Sequence, residues 1–205
     1  MTSVYSVAPS ISTENGMTTI DGLARSQRIS RLRIPDESEL PEDIQALVDR
    51  HHHENWVRAL SLNPDTARRF TGHFEHLFAA TGRRLPLQDR ELIAVVVSAT
   101  NGCGVCEIHH TRAFGDLLND PGFARRVALD YHLADLSKRQ RALADLAVKV
   151  TLSPKTISQA DFEKLRDLEL SDEELLEAVE TASWFNHTNR VTISLGILPD
   201  DKFFS

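Results

Sequence analysis

The sequence predicts an all-α fold. Three observations carry that expectation. Apolar residues recur at helical rather than alternating spacing from about residue 30 onward. The one stretch whose valines would also suit a strand has no strand-like partner elsewhere in the chain. Prolines and acidic residues stand where the first turns of helices favour them.

Residues 1–29 are rich in Ser and Thr and show no period. They read as a flexible arm, or one that orders only against a partner subunit, ahead of a single helical domain at 30–205. From "RLRIPDESELPEDIQALVDRHHHENW" the pattern turns helical. Pro41, Glu42 and Asp43 suit a first turn, and Ile44, Leu47 and Val48 then form one apolar face. In "LNPDTARRFTGHFEHLFAAT", Asn63 is an N-cap with Pro64 at the first helical position. Phe70, Phe74, Leu77 and Phe78 share a stripe expected to lie in the core. "LQDRELIAVVVSAT" is apolar nearly all round from Leu92 to Ala99, which marks a buried helix. After Asn101-Gly102 a new helix carries both cysteines and runs through "HHTRAFGDLLN". "DPGFARRVALD" forms a short helix. "SKRQRALADLAVKVT" is amphipathic, with Leu143, Leu146, Ala147 and Val150 along one side. "SQADFEKLRDL" and "SDEELLEAVETASWFNHTNRVTISLGI" complete the set, with no convincing sheet.

A weak internal repeat runs through this order. Laying 87–100 over 170–183 matches Leu87, Asp89, Glu91, Leu92, Val96 and Ala99 to Leu170, Asp172, Glu174, Leu175, Val179 and Ala182. The second copy carries Asn186 and Asn189 at the two cysteine positions. A duplicated helical unit with one chemically active copy fits this pattern; so does a chance match of two amphipathic helices with acidic first turns.

Composition removes several function classes. A chain of 205 residues can bury a core without covalent staples. A net charge of −7 opposes nucleic-acid binding. No apolar run is long enough to span a bilayer, and no basic start followed by an apolar block marks a secretory signal. Two cysteines are too few for a disulfide scaffold. The expected location is therefore a reducing cytoplasm, where a close cysteine pair is more often catalytic or metal-binding than structural.

Both cysteines lie in "NGCGVCEIHH". On a helix, Cys103, Cys106 and His110 fall within a wedge of about 60°, and His109 points further round. Cys103 would sit in the first turn, where the helix dipole favours a thiolate. His110 lies one turn after Cys106, at a spacing from which an imidazole can take a thiol proton. Zinc is a second reading, with Cys103, Cys106 and His110 as ligands and Glu91 or another His as a fourth. The usual second ligand pair roughly 12–20 residues away is absent. Two inert buried cysteines in a scaffold or interaction protein are the third.

Glu91-x11-Cys103-x2-Cys106-x3-His110 resembles the catalytic motif of the AhpD-like alkylhydroperoxidases within the carboxymuconolactone decarboxylase superfamily. The flanking "LQDRELIAVVVSATNGCGVC" and "WFNHTNRVTISLGI" look like its peroxidase-related subgroup, and the resemblance covers roughly residues 30–200. It implies an AhpD-like helical fold, a homo-oligomer, and a peroxidase-type oxidoreductase that reduces hydroperoxides through a cysteine disulfide. By the same resemblance Cys106 attacks the peroxide, Cys103 closes the disulfide, and Glu91 and His110 form a proton relay. No bound organic cofactor is implied, because the sulfurs carry the electrons; a thiol or dithiol reductant protein must close the cycle. One departure stands out. Established peroxidases of the family often carry a His immediately before the second cysteine, and here that residue is Val105. One relay group is then missing, turnover is expected to be weak, and His109 is the residue placed to compensate.

The remaining candidates have plainer readings. Glu91 also suits the third position of a helix capped near Gln88, as Glu174 suits the same place after Ser171. "HHHE" at 51–54 reads as a solvated helix end rather than a metal site, since consecutive histidines point about 100° apart. Trp184 and His187 lie near the second copy of the motif and either line the pocket or, as is more usual for a Trp, pack in the core or an interface, and Asn186, Asn189 and Arg190 are placed to hydrogen-bond across to the active copy.

Overall fold

Prolines and small polar residues start most of the helices where the sequence places them. The computed structural model describes residues 29–204 and, before them, the backbone of three short strands. Helices α1 (Glu42–Arg50), α2 (Asn55–Leu60) and α3 (Pro64–Leu77) come first. They are followed by α4 (Leu87–Asn101), α5 (Gly104–Leu118) and α6 (Pro121–Asp130). Helices α7 (Lys138–Leu152), α8 (Gln159–Arg166) and α9 (Asp172–Leu195) complete the order. Asn63 Oδ1 accepts from the Thr66 N–H, and Ser137, Ser158 and Ser171 each form a reciprocal capping box. The fold is all-α, as the periodicity predicts.

Helix α1 ends at the "HHHE" stretch, as read from the sequence, where His52 and His53 adopt left-handed backbone (φ 53° and 54°), and the short α2 follows. One detail differs from expectation. The N-terminal stretch, read as carrying no sheet, contains an antiparallel ladder of β1 (Ser12–Glu14), β2 (Met17–Ile20) and β3 (Leu23–Ala24). Glu14 pairs with Met17 and Ile20 with Leu23. The residues separating these pairs in sequence are Asn-Gly and Asp-Gly, the strongest short hairpin signals. The rest of the expected arm lies outside the described residues.

Helix α4 explains its own composition. Residues from Asp89 to Ser98 are all buried, since α4 packs against α5, α7 and α9 at once. On one side Ile93, Ala94 and Val97 join Leu143, Leu146, Leu175 and Phe185. On the other, Leu92, Val95 and Val96 meet Phe114, Ala124 and Val127. Helices α1–α3 build a further core around Ile44, Val48, Val57 and Ala67, against Val191 and Leu195 of α9.

The backbones of the two segments of the weak repeat part at Gly102. Gly102 ends α4 in left-handed conformation (φ 69°), and the Cys103 N–H donates to the Ser98 carbonyl at 2.9 Å. The chain thus breaks and restarts as α5 at Gly104. In the aligned second copy Phe185 stands at the Gly102 position, and α9 runs straight through.

One buried cation fixes the segment leading into α4. Arg90 is 1% exposed. Its guanidinium donates to the carbonyls of Leu85 (3.0 Å), Ala79 (3.0 Å) and Leu77. Replacing it with Met leaves these acceptors unpaired. The variant Arg90→Met is expected to lose about 3 kcal/mol or more of stability by urea unfolding. A loss under about 1 kcal/mol would contradict this role.

Candidate active site

Helix α4 supplies the acid of the site and α5 its sulfur and base. The N-cap of α4 is Pro86, so Glu91 lies a full turn inside the helix, beyond reach of the free N–H groups. The capping reading of Glu91 is therefore overturned; Glu174, its counterpart, does cap, accepting from the Ser171 N–H at 2.8 Å. Glu91 instead turns inward, 6% exposed, and its Oε2 accepts from His110 Nδ1 at 2.7 Å. The Phe78 ring lies 5.1 Å from the His110 ring and Phe185 meets it edge-on at 4.6 Å. Burial works to lower the His110 pKa, but the Glu91 charge and hydrogen bond, with Cys106, outweigh it and hold the imidazole above its ordinary value.

Cys103 is the N-cap of α5, and Cys106 is the third residue of that helix. Both are free and buried, with their sulfurs 2.8 Å apart. The Cys106 thiol is lowered to about 6, chiefly because the Cys103 S–H donates to it; burial opposes this, and the positive His110, Asn189 and Thr192 add to it. Donation to Cys106 and burial push Cys103 upward. The hydrogen bond between the sulfurs therefore favours a thiolate at Cys106, the residue that the family resemblance assigns to the attack, and not at Cys103 as first-turn placement suggests. Thr192 Oγ1 is 3.9 Å from Cys106 Sγ, where its hydroxyl can donate to the thiolate.

Cys106, Glu91 and His110 open onto a cavity of about 250 Å3. Its other walls are mainly aromatic, with Trp56, Phe70, Phe74 and Trp184 facing in. The phenylalanine stripe of α3, expected in the core, is thus half-buried cavity wall at Phe70 and Phe74. Trp184 belongs to the cavity too, its ring 4.9 Å from Phe70 and stacked on His73 at 4.1 Å. His187 packs behind Phe70 and Trp184.

The "HHHE" stretch divides. His52 and His53 are exposed, as expected of a helix end. His51 and Glu54 line the cavity, His51 meeting Glu75 at 3.1 Å and Glu54 accepting from Trp56 Nε1 at 2.6 Å. Val105 lines the cavity as well. His109 faces it between two carboxylates, with Nδ1 3.8 Å from Glu54 and Nε2 3.6 Å from Asp200. Burial pushes the Asp200 carboxyl up, yet His109, the Asn55 N–H and Lys202 together hold it below its ordinary value.

Asn186 and Asn189 do reach across. Asn101 Nδ2 donates to Asn186 Oδ1 (3.2 Å) and Asn189 Oδ1 (3.0 Å), and Asn189 Nδ2 donates to Ser98 Oγ at 3.2 Å. Arg190 donates to Asn186 at 2.8 Å and stays exposed. Among the described residues no cluster of three or more His, Cys, Asp or Glu converges as a metal site.

The carboxymuconolactone decarboxylase family profile matches residues 64–116, the segment from α3 to late α5. No curated protein matches the chain. Among solved structures, the alkylhydroperoxidase AhpD core of a peroxidase-related protein from Ralstonia eutropha is 32% identical, with a TM-score of 0.81, covering 86% of this chain and 95% of that one. A peroxidase-related protein from Silicibacter is 28% identical with a TM-score of 0.81, covering 89% and 97%. The debrominase Bmp8 shares the fold at 17% identity and a TM-score of 0.68, covering 86% and 94%.

The charge pattern sets a titration. A thiol lowered to about 6 is ionised above that pH and protonated below it. The ultraviolet thiolate absorbance of reduced protein is expected to rise with a midpoint near 6, for one of the two thiols. His110→Asn, which removes the positive charge, should raise that midpoint by about one unit or more. Both thiols ionising together in the ordinary range would contradict the geometry.

Proposed function

The chain belongs to the AhpD-like branch of the carboxymuconolactone decarboxylase family, and from that premise we propose that it is a thiol-dependent hydroperoxide reductase. The observation that carries this reading is the Cys106 sulfur, open to an apolar cavity, 2.8 Å from a second thiol and backed by the buried Glu91–His110 pair. The names of the more similar relatives, both peroxidase-related, point the same way.

The Cys106 thiolate attacks the distal oxygen of a hydroperoxide. An S–O bond forms, the O–O bond breaks, and the sulfur becomes a sulfenic acid. Cys103 then attacks that sulfur and releases water, leaving the Cys103–Cys106 disulfide. Its thiol lies beside Cys106 and needs little motion to do so. Glu91 holds the His110 ring in place, and the imidazolium it stabilises is the countercharge of the thiolate before attack. A thiol or dithiol protein reduces the disulfide and closes the cycle. The reading includes a homo-oligomer at work in a reducing cytoplasm; among the described residues no helix is long and apolar enough to cross a membrane.

The test is a single turnover. Reduced protein mixed with one equivalent of an organic hydroperoxide is expected to lose both thiols, with a two-hydrogen decrease in intact mass, far faster than free cysteine reacts. Cys106→Ser should abolish the reaction. Cys103→Ser should still consume peroxide and stop at a sulfenic acid that a dimedone-type reagent traps. Thiols that oxidise no faster than free cysteine would overturn the proposal.

A further inference from the structure

Cleavage of the peroxide bond expels an alkoxide, a strong base that needs a proton as it leaves. In-line attack puts that oxygen on the side of the peroxide opposite the sulfur, inside the cavity that Cys106 lines. His110 is placed for the other end of the reaction: its Nδ1 is bonded to Glu91, and its charge faces the Cys106 sulfur. Val105, the residue just before Cys106, has no proton to give.

His109 is the imidazole left over. It lies three residues after Cys106 on α5, on a neighbouring position of the same helix, and lines the same cavity. Glu54 from the α1–α2 turn and Asp200 from the C-terminal segment flank it at 3.8 and 3.6 Å. Both distances exceed a hydrogen bond, so neither carboxylate ties up a ring nitrogen. Its Nε2 is buried without a hydrogen-bond partner, a costly state that structures keep for a reason. The carboxylates themselves are fixed from behind. Glu54 accepts from Trp56 Nε1 and from Lys202, and Asp200 accepts from the Asn55 N–H at 3.0 Å. The Phe203 ring packs against the imidazole at 4.3 Å, and the ring keeps an edge on the cavity.

We infer that His109, held between Glu54 and Asp200, is the general acid that protonates the leaving alkoxide. This rests on the peroxidase reading and divides its proton chemistry between two histidines. His110 stabilises the attacking sulfur, and His109 serves the departing oxygen. The step balances: the Cys106 thiolate donates an electron pair to the distal oxygen, the O–O bond breaks, and the alkoxide takes the His109 proton to leave as an alcohol. Water entering the cavity reprotonates the imidazole.

The experiment compares two oxidants on wild type and His109→Gln. Cumene hydroperoxide expels an alkoxide and needs the acid. A substituted perbenzoic acid expels a carboxylate, a weak base that leaves unaided. The substitution is expected to slow Cys106 oxidation by cumene hydroperoxide about 10²-fold, within the usual range for a general acid. The rate with the peracid should hold nearly steady, which also shows that the site remains folded. Equal losses with both oxidants would make His109 structural and overturn the inference, as would no loss with either. A wild-type protein inert to both would sink the peroxidase reading itself, an outcome distinct from the other two.

Discussion

The hydrogen bond between Glu91 and His110 ties the site to the fold. Neither group could be buried alone, since an isolated carboxylate or imidazolium in an apolar interior costs several kcal/mol. Paired at 2.7 Å, they cross from α4 to α5 and lock the two helices in register. That register sets where Cys106 stands and gives it a positive neighbour. The Gly102 turn is the covalent side of the same constraint. It lets the chain double back so that the first turn of α5 faces the acid of α4.

The rest of the core serves that pair. Helix α4 is apolar all round because neighbours surround it, and the acid it carries is shielded from bulk water. Helix α9 contributes the opposite face. Asn189 and Thr192 supply polar contacts near the sulfurs, while Phe185 packs against the imidazole. The second unit of the weak repeat, read as one gene-level duplication or as coincidence, acts here as a polar and aromatic backing for the first. Its uninterrupted helix, with Phe185 where the first unit has Gly102, leaves no second thiol site.

Much of this was legible in the chain. Helical period and caps gave the helices, the spacing of Cys103, Cys106 and His110 gave the pair of thiols with a base, and the resemblance to the AhpD-like motif added Glu91. What was not legible arises from convergence of distant segments. Glu91 reads as a cap only if the helix starts near Gln88, whereas Pro86 starts it earlier. Cys103 looked like the thiolate because a helix pattern does not reveal which sulfur donates to the other. The cavity walls come from α3, the α1–α2 turn, α9 and the C-terminal segment. No local pattern announces that Phe70, Glu54 and Ile197 meet around one space. The small N-terminal ladder was missed for a different reason: its hairpin dipeptides were read as part of a polar arm.

The most direct measurement of the central claim is which sulfur is nucleophilic. Reduced protein treated near neutral pH with less than one equivalent of a small alkylating reagent, then digested and mapped by mass, reports this residue by residue. Label is expected on Cys106 with Cys103 almost untouched, and a weaker preference when Glu91 is replaced by Gln. Label on Cys103 first, or on both equally, would contradict it.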